Sequence, residues 1–134
     1  MSFYEWGDQL DVRVAAMNEQ HKRIIALMNR LHASARTNAP QLVIESDLAE
    51  LGRFTTQHFA DEEAYMKRIG FAKLITHAEI HRRLLQKFTS FVDQYRTTGQ
   101  LGADFFDFLK MWLSAHIQGV DVQYGEPAAK VAAR

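Results

Sequence analysis

Five of the six histidines in this 134-residue chain lie in four separate stretches with helical periodicity, and this arrangement restricts the fold more than any other feature. With their neighbouring carboxylates, these residues are His21; His58 and Glu62; His77 and His81; and His116 and Asp121. Residues four apart lie on one face of a helix, so each middle pair aims two side chains at one point. Imidazole nitrogens and carboxylate oxygens suit iron, zinc or copper, and shared carboxylates favour two metal ions. The pattern therefore predicts a dinuclear metal site inside a helical bundle.

Each part of the pattern also has an ordinary structural explanation. Taken alone, His21 is typical of a histidine on the protein surface. His58 and Glu62 could be an ordinary surface pair on one helix face, which would stabilise the helix by about 0.2–0.5 kcal/mol. His116 and Asp121 are the weakest pair, because five residues advance an α-helix by about 500° and leave the side chains roughly 140° apart. Burying all seven side chains without a binding partner would nevertheless cost several kcal/mol, and a metal centre supplies that partner.

His32 serves as an internal comparison. It lies on nearly the same helix face as His21 but about 16 Å further along the axis, so it cannot reach the same metal ions. We therefore interpret His32 as an ordinary polar histidine or as one that supports the site from outside without binding metal.

Composition excludes several kinds of function. The chain has no cysteine, which removes disulfides, thiolate ligands, iron–sulfur clusters and covalent haem attachment. Sixteen basic residues balance sixteen acidic ones, so we expect neither a nucleic-acid partner nor an anionic membrane surface. No apolar run approaches the roughly 20 residues that span a bilayer, and the first residues do not resemble a signal peptide. These features predict a cytoplasmic protein with no membrane association.

Apolar periodicity predicts four helices, at about 18–36, 41–69, 73–97 and 103–124. We expect Asn18 to cap the first helix, Pro40 to precede the second, Leu42 to be buried in it and Gly70 to end it. Short loops make consecutive helices neighbours, so the predicted fold class is all-α, an antiparallel up-down-up-down four-helix bundle. The chain then divides into an irregular N-terminal arm (1–17), the bundle (18–125) and a mobile tail (126–134).

The sequence around these residues resembles the hemerythrin family. The matching segments are Asn-Glu-Gln-His-Lys (18–22), His-Phe-x-x-Glu-Glu (58–63), Gly-Phe (70–71), and Trp-Leu-x-x-His-Ile-x-x-x-Asp (112–121) followed by Tyr124. The similarity extends from Trp6 to about Tyr124 and matches all seven ligand positions, so the chain resembles the single-domain bacterial hemerythrins in particular. Asn18 stands where many relatives have Asp, which removes a charged group near His21.

This resemblance implies a non-haem di-iron centre bridged by an oxo or hydroxo group. It assigns His77, His81 and His116 to one iron, His21 and His58 to the other, and Glu62 and Asp121 to both. In the family, dioxygen binds reversibly at an open position of the two-histidine iron. Leu113 matches an aliphatic residue over the oxygen pocket, and Trp112 matches a neighbouring aromatic wall. An apolar cover of this kind slows the entry of water and protons.

The function implied by the resemblance is dioxygen binding, as a carrier, store or scavenger, without enzymatic turnover. Alternatives that use the same site are a di-iron peroxidase and a nitric-oxide- or redox-responsive protein. The expected partners are dioxygen and an oxygen-consuming enzyme as its recipient, and we expect a monomer. Ferritin-like di-iron proteins use Glu-x-x-His repeats, which this chain lacks, and haem would leave most of the seven side chains unexplained.

Overall fold

Four long helices form an antiparallel up-down-up-down bundle in the computed structural model, which describes residues 3–125. The helices are α1 (Ala15–Arg36), α2 (Gln41–Arg68), α3 (Leu74–Thr98) and α4 (Ala103–His116). A 3₁₀ turn (Asp8–Leu10) precedes α1, and a π-helical turn (Ile117–Asp121) continues α4 before a last helical segment at 122–125. Residues 3–125 contain no strand, which confirms the predicted all-α bundle. The predicted mobile tail, 126–134, lies outside the described residues.

The ends of α2 follow from local backbone chemistry. Pro40 is the N-cap residue, with an extended backbone (φ −54°, ψ 148°), and it leads directly into the helix. At the other end Gly70 adopts a left-handed conformation (φ 66°), which glycine reaches without the steric penalty of a Cβ. The Phe71 N–H then donates to the Met66 carbonyl oxygen at 2.9 Å, as in a Schellman motif. The predicted limits of α2 lie within one residue of the observed ones.

The prediction that Asn18 caps the first helix is wrong. Helix α1 begins three residues earlier, at Ala15, after an extended Val14. The Asn18 side chain instead accepts a hydrogen bond from the Val12 N–H at 3.0 Å and donates one to Asp11 at 2.8 Å. Asn18 therefore fastens the N-terminal arm to the first turn of α1 and makes no hydrogen bond to His21.

The apolar core is drawn mainly from α1, α2, α4 and the arm. Its fully buried side chains are Leu10, Val12, Ile24, Met28, Leu31, Leu51, Met66, Phe105, Leu109, Leu113, Ile117 and Tyr124. Each buried Leu or Ile contributes roughly 1.5–3 kcal/mol. Leu42 was predicted to be buried but is 80% exposed, because it lies in the first turn of α2 at the end of the bundle. No helix within residues 3–125 is long and apolar enough to cross a membrane.

Helix α3 differs from the other helices in the side chains that it buries against the bundle. Its buried residues are His77, His81 and Tyr95, whereas its larger apolar side chains are half-buried or, in the case of Ile75, exposed. Two of these three buried residues belong to the predicted metal site. The attachment of α3 to the bundle therefore depends on that site more than the attachment of α1 does.

The N-terminal arm is fixed across the bundle by specific contacts. The Tyr4 N–H donates to Asn29 Oδ1, and Asn29 Nδ2 donates back to the Tyr4 carbonyl oxygen, both at 2.9 Å. The Tyr4 hydroxyl and Ser114 Oγ share a hydrogen bond at 2.5 Å. In the last helical segment (122–125), a Cβ on residue 125 would lie 1.8 Å from the Val12 carbonyl oxygen, so only Gly125 fits there. The arm thus packs closely against the end of the chain segment that carries Asp121.

Candidate metal centre

The seven predicted ligand residues come together in the bundle interior. His21 lies on α1, His58 and Glu62 on α2, His77 and His81 on α3, His116 at the end of α4 and Asp121 at the end of the π-helical turn. None of the seven is more than 6% exposed. The four helices and the π-helical turn therefore bring five imidazoles and two carboxylates into one buried cluster.

The seven side chains form two overlapping groups, and within each group the candidate ligand atoms lie within 4.8 Å of one another. The three-histidine group consists of His77, His81, His116, Glu62 and Asp121. The two-histidine group consists of His21, His58, Glu62 and Asp121. His32 belongs to neither group and instead stacks on the Phe3 ring, with 4.4 Å between ring centroids.

Glu62 presents a different oxygen to each group. Its Oε1 lies 2.9 Å from His81 Nε2 and 3.8 Å from His77 Nε2. Its Oε2 lies 3.4 Å from His21 Nε2 and 3.5 Å from His58 Nε2. A carboxylate placed in this way can bridge two metal ions.

Asp121 also presents a different oxygen to each group. Its Oδ1 lies 2.9 Å from the Nε2 atoms of both His77 and His116, and its Oδ2 lies 3.1 Å from His21 Nε2. The three-histidine group thus has five candidate ligand atoms and the two-histidine group has four. Both carboxylates connect the groups, which fits a pair of ions better than a single one.

The π-helical turn explains how the weakest predicted pair reaches the centre. Hydrogen bonds in such a turn join residues five apart instead of four, and π turns are frequent at functional sites. His116 and Asp121, also five apart, therefore approach each other, where an α-helix would separate their side chains. Because the π-helical turn contains one more residue than an α-helical turn, both side chains point towards the cluster.

Many completely buried polar atoms of the cluster make no well-aligned hydrogen bond, although several Nε2 atoms lie within 3.1 Å of a carboxylate oxygen. Nδ1 of His21 and of His77 are among these atoms, and those that face the interior of the cluster are Nε2 of His21, His77, His81 and His116, Oε1 of Glu62, and both carboxylate oxygens of Asp121. A buried polar atom without a partner costs about 1–3 kcal/mol, and more when it is charged. Because the same atoms converge on shared points, metal ions would satisfy them together. The donor set contains only nitrogen and oxygen, which iron accepts.

Charge within the cluster shifts the pKa values of its members. Burial lowers the pKa of His21, but the nearby Asp121 and Glu62 carboxylates outweigh burial and raise it to about 9. Burial opposes ionisation of Glu62, yet the surrounding imidazoles hold its pKa well below the usual range. In the absence of metal, a proton on His21 therefore offsets part of the carboxylate charge. Metal binding must displace that proton.

Three further side chains hydrogen-bond to the cluster from outside. His58 Nδ1 donates to Gln20 Oε1 at 2.6 Å, and His81 Nδ1 lies 2.9 Å from Glu63 Oε2. Both contacts place the ring proton on Nδ1 and leave Nε2 free for a metal ion. The Tyr124 hydroxyl donates to Glu62 Oε2 at 2.6 Å. Burial and the neighbouring carboxylates raise the Tyr124 pKa, so the hydroxyl keeps its proton.

These outer partners were not predicted. Gln20 and Glu63 are sequence neighbours of His21 and Glu62, but each contacts a histidine on a different helix. Both residues lie within the segments that resemble the hemerythrin family (18–22 and 58–63), and this was the sequence feature that could have identified them. Their targets depend on the register between helices, which sequence spacing does not reveal.

Aromatic and aliphatic side chains surround the cluster. The Phe59 ring stacks on the His81 imidazole, with 3.8 Å between centroids and 6° between planes, and Trp112 packs edge-on against Phe59. Leu113 is 1% exposed and Trp112 is 7% exposed. Trp112 therefore lies on the three-histidine side of the cavity. A surface groove of about 670 Å³ between α2 and α3 contains none of the seven cluster residues.

The fold and the cluster together define a four-helix protein with a buried site for metal cations. The model of one family, described as "Hemerythrin HHE cation binding domain", matches residues 12–125. The chain belongs to the hemerythrin family. It is 31% identical over 130 residues to a bacteriohemerythrin of Stenotrophomonas maltophilia (strain R551-3), covering 94% of this chain and 82% of that protein.

Other comparisons agree with this assignment. A bacteriohemerythrin of Pseudomonas aeruginosa (strain LESB58) is 33% identical over 128 residues, covering 92% of this chain and 80% of that protein. A crystal structure of wild-type hemerythrin is similar with a TM-score of 0.83 and 28% identity, covering 92% of this chain and 95% of that one. The similarity extends over nearly the whole bundle.

Proposed function

We propose that this protein binds dioxygen reversibly at a non-haem di-iron centre and acts as an oxygen carrier, store or scavenger. The observation that carries the proposal is the division of the ligand atoms, in which Glu62 and Asp121 each present one oxygen to each of two unequal groups. The two-histidine group has one candidate ligand atom fewer than the three-histidine group. It therefore leaves room for a ligand from outside the chain.

The protein residues have distinct roles in this proposal. His77, His81 and His116 hold one iron ion, His21 and His58 hold the other, and Glu62 and Asp121 hold both. When bound, a pair of ferrous ions supplies the two electrons that reversible dioxygen binding requires. The outer contacts of Gln20, Glu63 and Tyr124 fix the orientation of the ligand side chains.

Burial of the site favours reversible binding over oxidation. All seven ligand residues are at most 6% exposed, so water and protons have little direct access to them. We assign Leu113 as the aliphatic cover of the oxygen pocket, whereas Trp112, which packs on Phe59 beside His81, forms an aromatic wall on the three-histidine side. Both side chains are buried, and neither offers a carboxylate or imidazole for proton transfer. An apolar enclosure of this kind suppresses side reactions with solvent.

Reconstitution with iron tests this proposal. The metal-free chain is loaded with ferrous iron under argon, iron per chain is counted, and the visible spectrum is recorded while oxygen is admitted and then removed. We expect two irons per chain and an absorption band that appears with oxygen and disappears on sparging. Immediate and irreversible conversion to a ferric species would contradict reversible binding and favour the peroxidase or redox-responsive alternative.

A matched pair of histidine variants identifies where the iron binds. His116→Ala removes a proposed ligand, whereas His32→Ala removes a histidine that stacks on Phe3 outside the cluster. We expect the His116 variant to bind fewer than two irons and the His32 variant to behave as the wild type. Equal iron content in the two variants would contradict the ligand assignment.

A further inference from the structure

The two groups of the metal centre differ in their outer hydrogen bonds. On the side of the three-histidine group, His81 Nδ1 contacts the Glu63 carboxylate at 2.9 Å. On the side of the two-histidine group, His58 Nδ1 contacts the neutral amide of Gln20 at 2.6 Å. The Tyr124 hydroxyl donates to Glu62 Oε2, the Glu62 oxygen that faces the two-histidine group.

The two histidine contacts change ligand strength unequally. A carboxylate that accepts the Nδ1 proton makes the imidazole a more basic ligand through Nε2. Hydrogen bonds that involve a charged group are roughly twice as strong as neutral ones, so Glu63 strengthens His81 more than Gln20 strengthens His58.

Tyr124, in contrast, weakens a ligand atom of the two-histidine group. A hydrogen bond to a carboxylate oxygen stabilises its charge and makes that oxygen a weaker base. Because the bonded atom is Oε2 and not Oε1, the weakening affects the two-histidine group. Glu63 and Tyr124 therefore favour metal binding at the three-histidine group, and the weaker effect of Gln20 on His58 does not offset them.

We propose that these outer hydrogen bonds set the order of metal loading, so that the three-histidine group fills first and the two-histidine group fills second and more weakly. Glu63 is the positioning residue that strengthens the first position, and Tyr124 weakens the second. The inference rests on the proposed two-metal site. The larger number of ligand atoms in the three-histidine group acts in the same direction, so the test must vary the outer contacts and keep all seven ligands.

Cobalt titration of the metal-free, full-length chain measures the order directly. Co²⁺ accepts nitrogen and oxygen ligands and reports its binding through visible absorption, so the measurement does not require oxygen binding. We expect two resolved steps, the first tighter than the second. Proton NMR should show shifted signals from three imidazoles after the first equivalent of Co²⁺ and from two more after the second.

Two variants separate the effect of the outer contacts from ligand number. Glu63→Gln keeps the shape of the side chain but removes its charge, and we expect affinity in the first step to fall about 10- to 100-fold. Glu45→Gln is the matched control, because it makes the same exchange on the same helix while Glu45 accepts a hydrogen bond from Gln41, far from the cluster. The Glu45 variant should leave the first step unchanged.

Tyr124→Phe should have the opposite effect from Glu63→Gln. It keeps the aromatic ring but removes the hydrogen bond to Glu62 Oε2, so the second step should become tighter and the first should not. The Glu63 side chain is 37% exposed, so we expect circular dichroism and thermal unfolding of the metal-free Glu63 variant to match wild type.

The possible outcomes are distinguishable. Binding of both cobalt ions in one step, first binding at the two-histidine group, or an unchanged first step in Glu63→Gln would overturn the loading order and leave the proposed function standing. Binding of fewer than two cobalt ions by the wild-type chain would contradict the two-metal site itself, and the loading order would fail with it.

Discussion

Replacement of Leu113 by alanine separates the role of this side chain as an oxygen-pocket cover from its role in the core. Leu113 is 1% exposed, so the substitution removes three fully buried carbon atoms. At about 0.8 kcal/mol for each carbon, the lost burial amounts to about 2.4 kcal/mol, and the cavity that remains increases the total cost to roughly 2–5 kcal/mol. The free energy of unfolding should fall by this amount. If Leu113 covers the oxygen pocket, water should also enter more readily and shorten the lifetime of the oxygenated form.

Leu109→Ala is the matched control for this prediction. Leu109 is 0% exposed and lies one turn earlier on the same helix, so its removal should destabilise the protein by a similar amount. Denaturant unfolding measures stability, and decay of the visible absorption under oxygen measures the lifetime. We expect both variants to be destabilised but only the Leu113 variant to oxidise faster at unchanged iron content. Equal lifetimes in the two variants would refute the assignment of Leu113 as the cover.

Three further predictions concern the metal-free protein and the N-terminal arm. Removal of metal should increase hydrogen exchange in α3 more than in α1, because His77 and His81 are two of the three buried residues of α3; equal protection of both helices would contradict this. Asp121 and Glu62 raise the His21 pKa from 6.5 to about 9. Protonated His21 therefore stabilises the metal-free fold fully below pH 6.5, and this stabilisation is lost as pH rises through 9. Unfolding experiments at several pH values should show this loss without metal and not in the metal-loaded protein, where His21 would be a neutral imidazole ligand. Gly125→Ala should lower the melting temperature because its Cβ would collide with the Val12 carbonyl oxygen, whereas Gly119→Ala, at a site with open space, should cause no collision.

The sequence was sufficient to predict the bundle and the convergence of the cluster. Apolar periodicity located the four helices, and local signals at Pro40 and Gly70 located the ends of α2 because proline and glycine act through the backbone of their own segment. Pairs four apart, such as His58 with Glu62, require only regular helix geometry to face the same way. These features depend on neighbours in the chain and were therefore predictable.

Features that depend on tertiary contacts were not predictable. Asn18 has the chemistry of an N-cap, but the path of the arm starts α1 three residues earlier and engages Asn18 with Val12. The approach of His116 and Asp121 requires a π-helical turn, and no residue type specifies such a turn in the way that proline or glycine specifies a helix end. The roles of Gln20, Glu63 and Tyr124 depend on which helices are neighbours and on the axial register between them.

In the proposed metal centre, Glu62 and Asp121 bridge two metal positions with unequal histidine sets. Anomalous X-ray diffraction at the iron absorption edge, from crystals of the iron-loaded protein, tests this claim most directly. We predict two anomalous peaks per chain, one beside His77, His81 and His116 and the other beside His21 and His58, with both carboxylates in contact with both peaks. A single peak, or two peaks of which one lacks contact with Glu62 or Asp121, would contradict it.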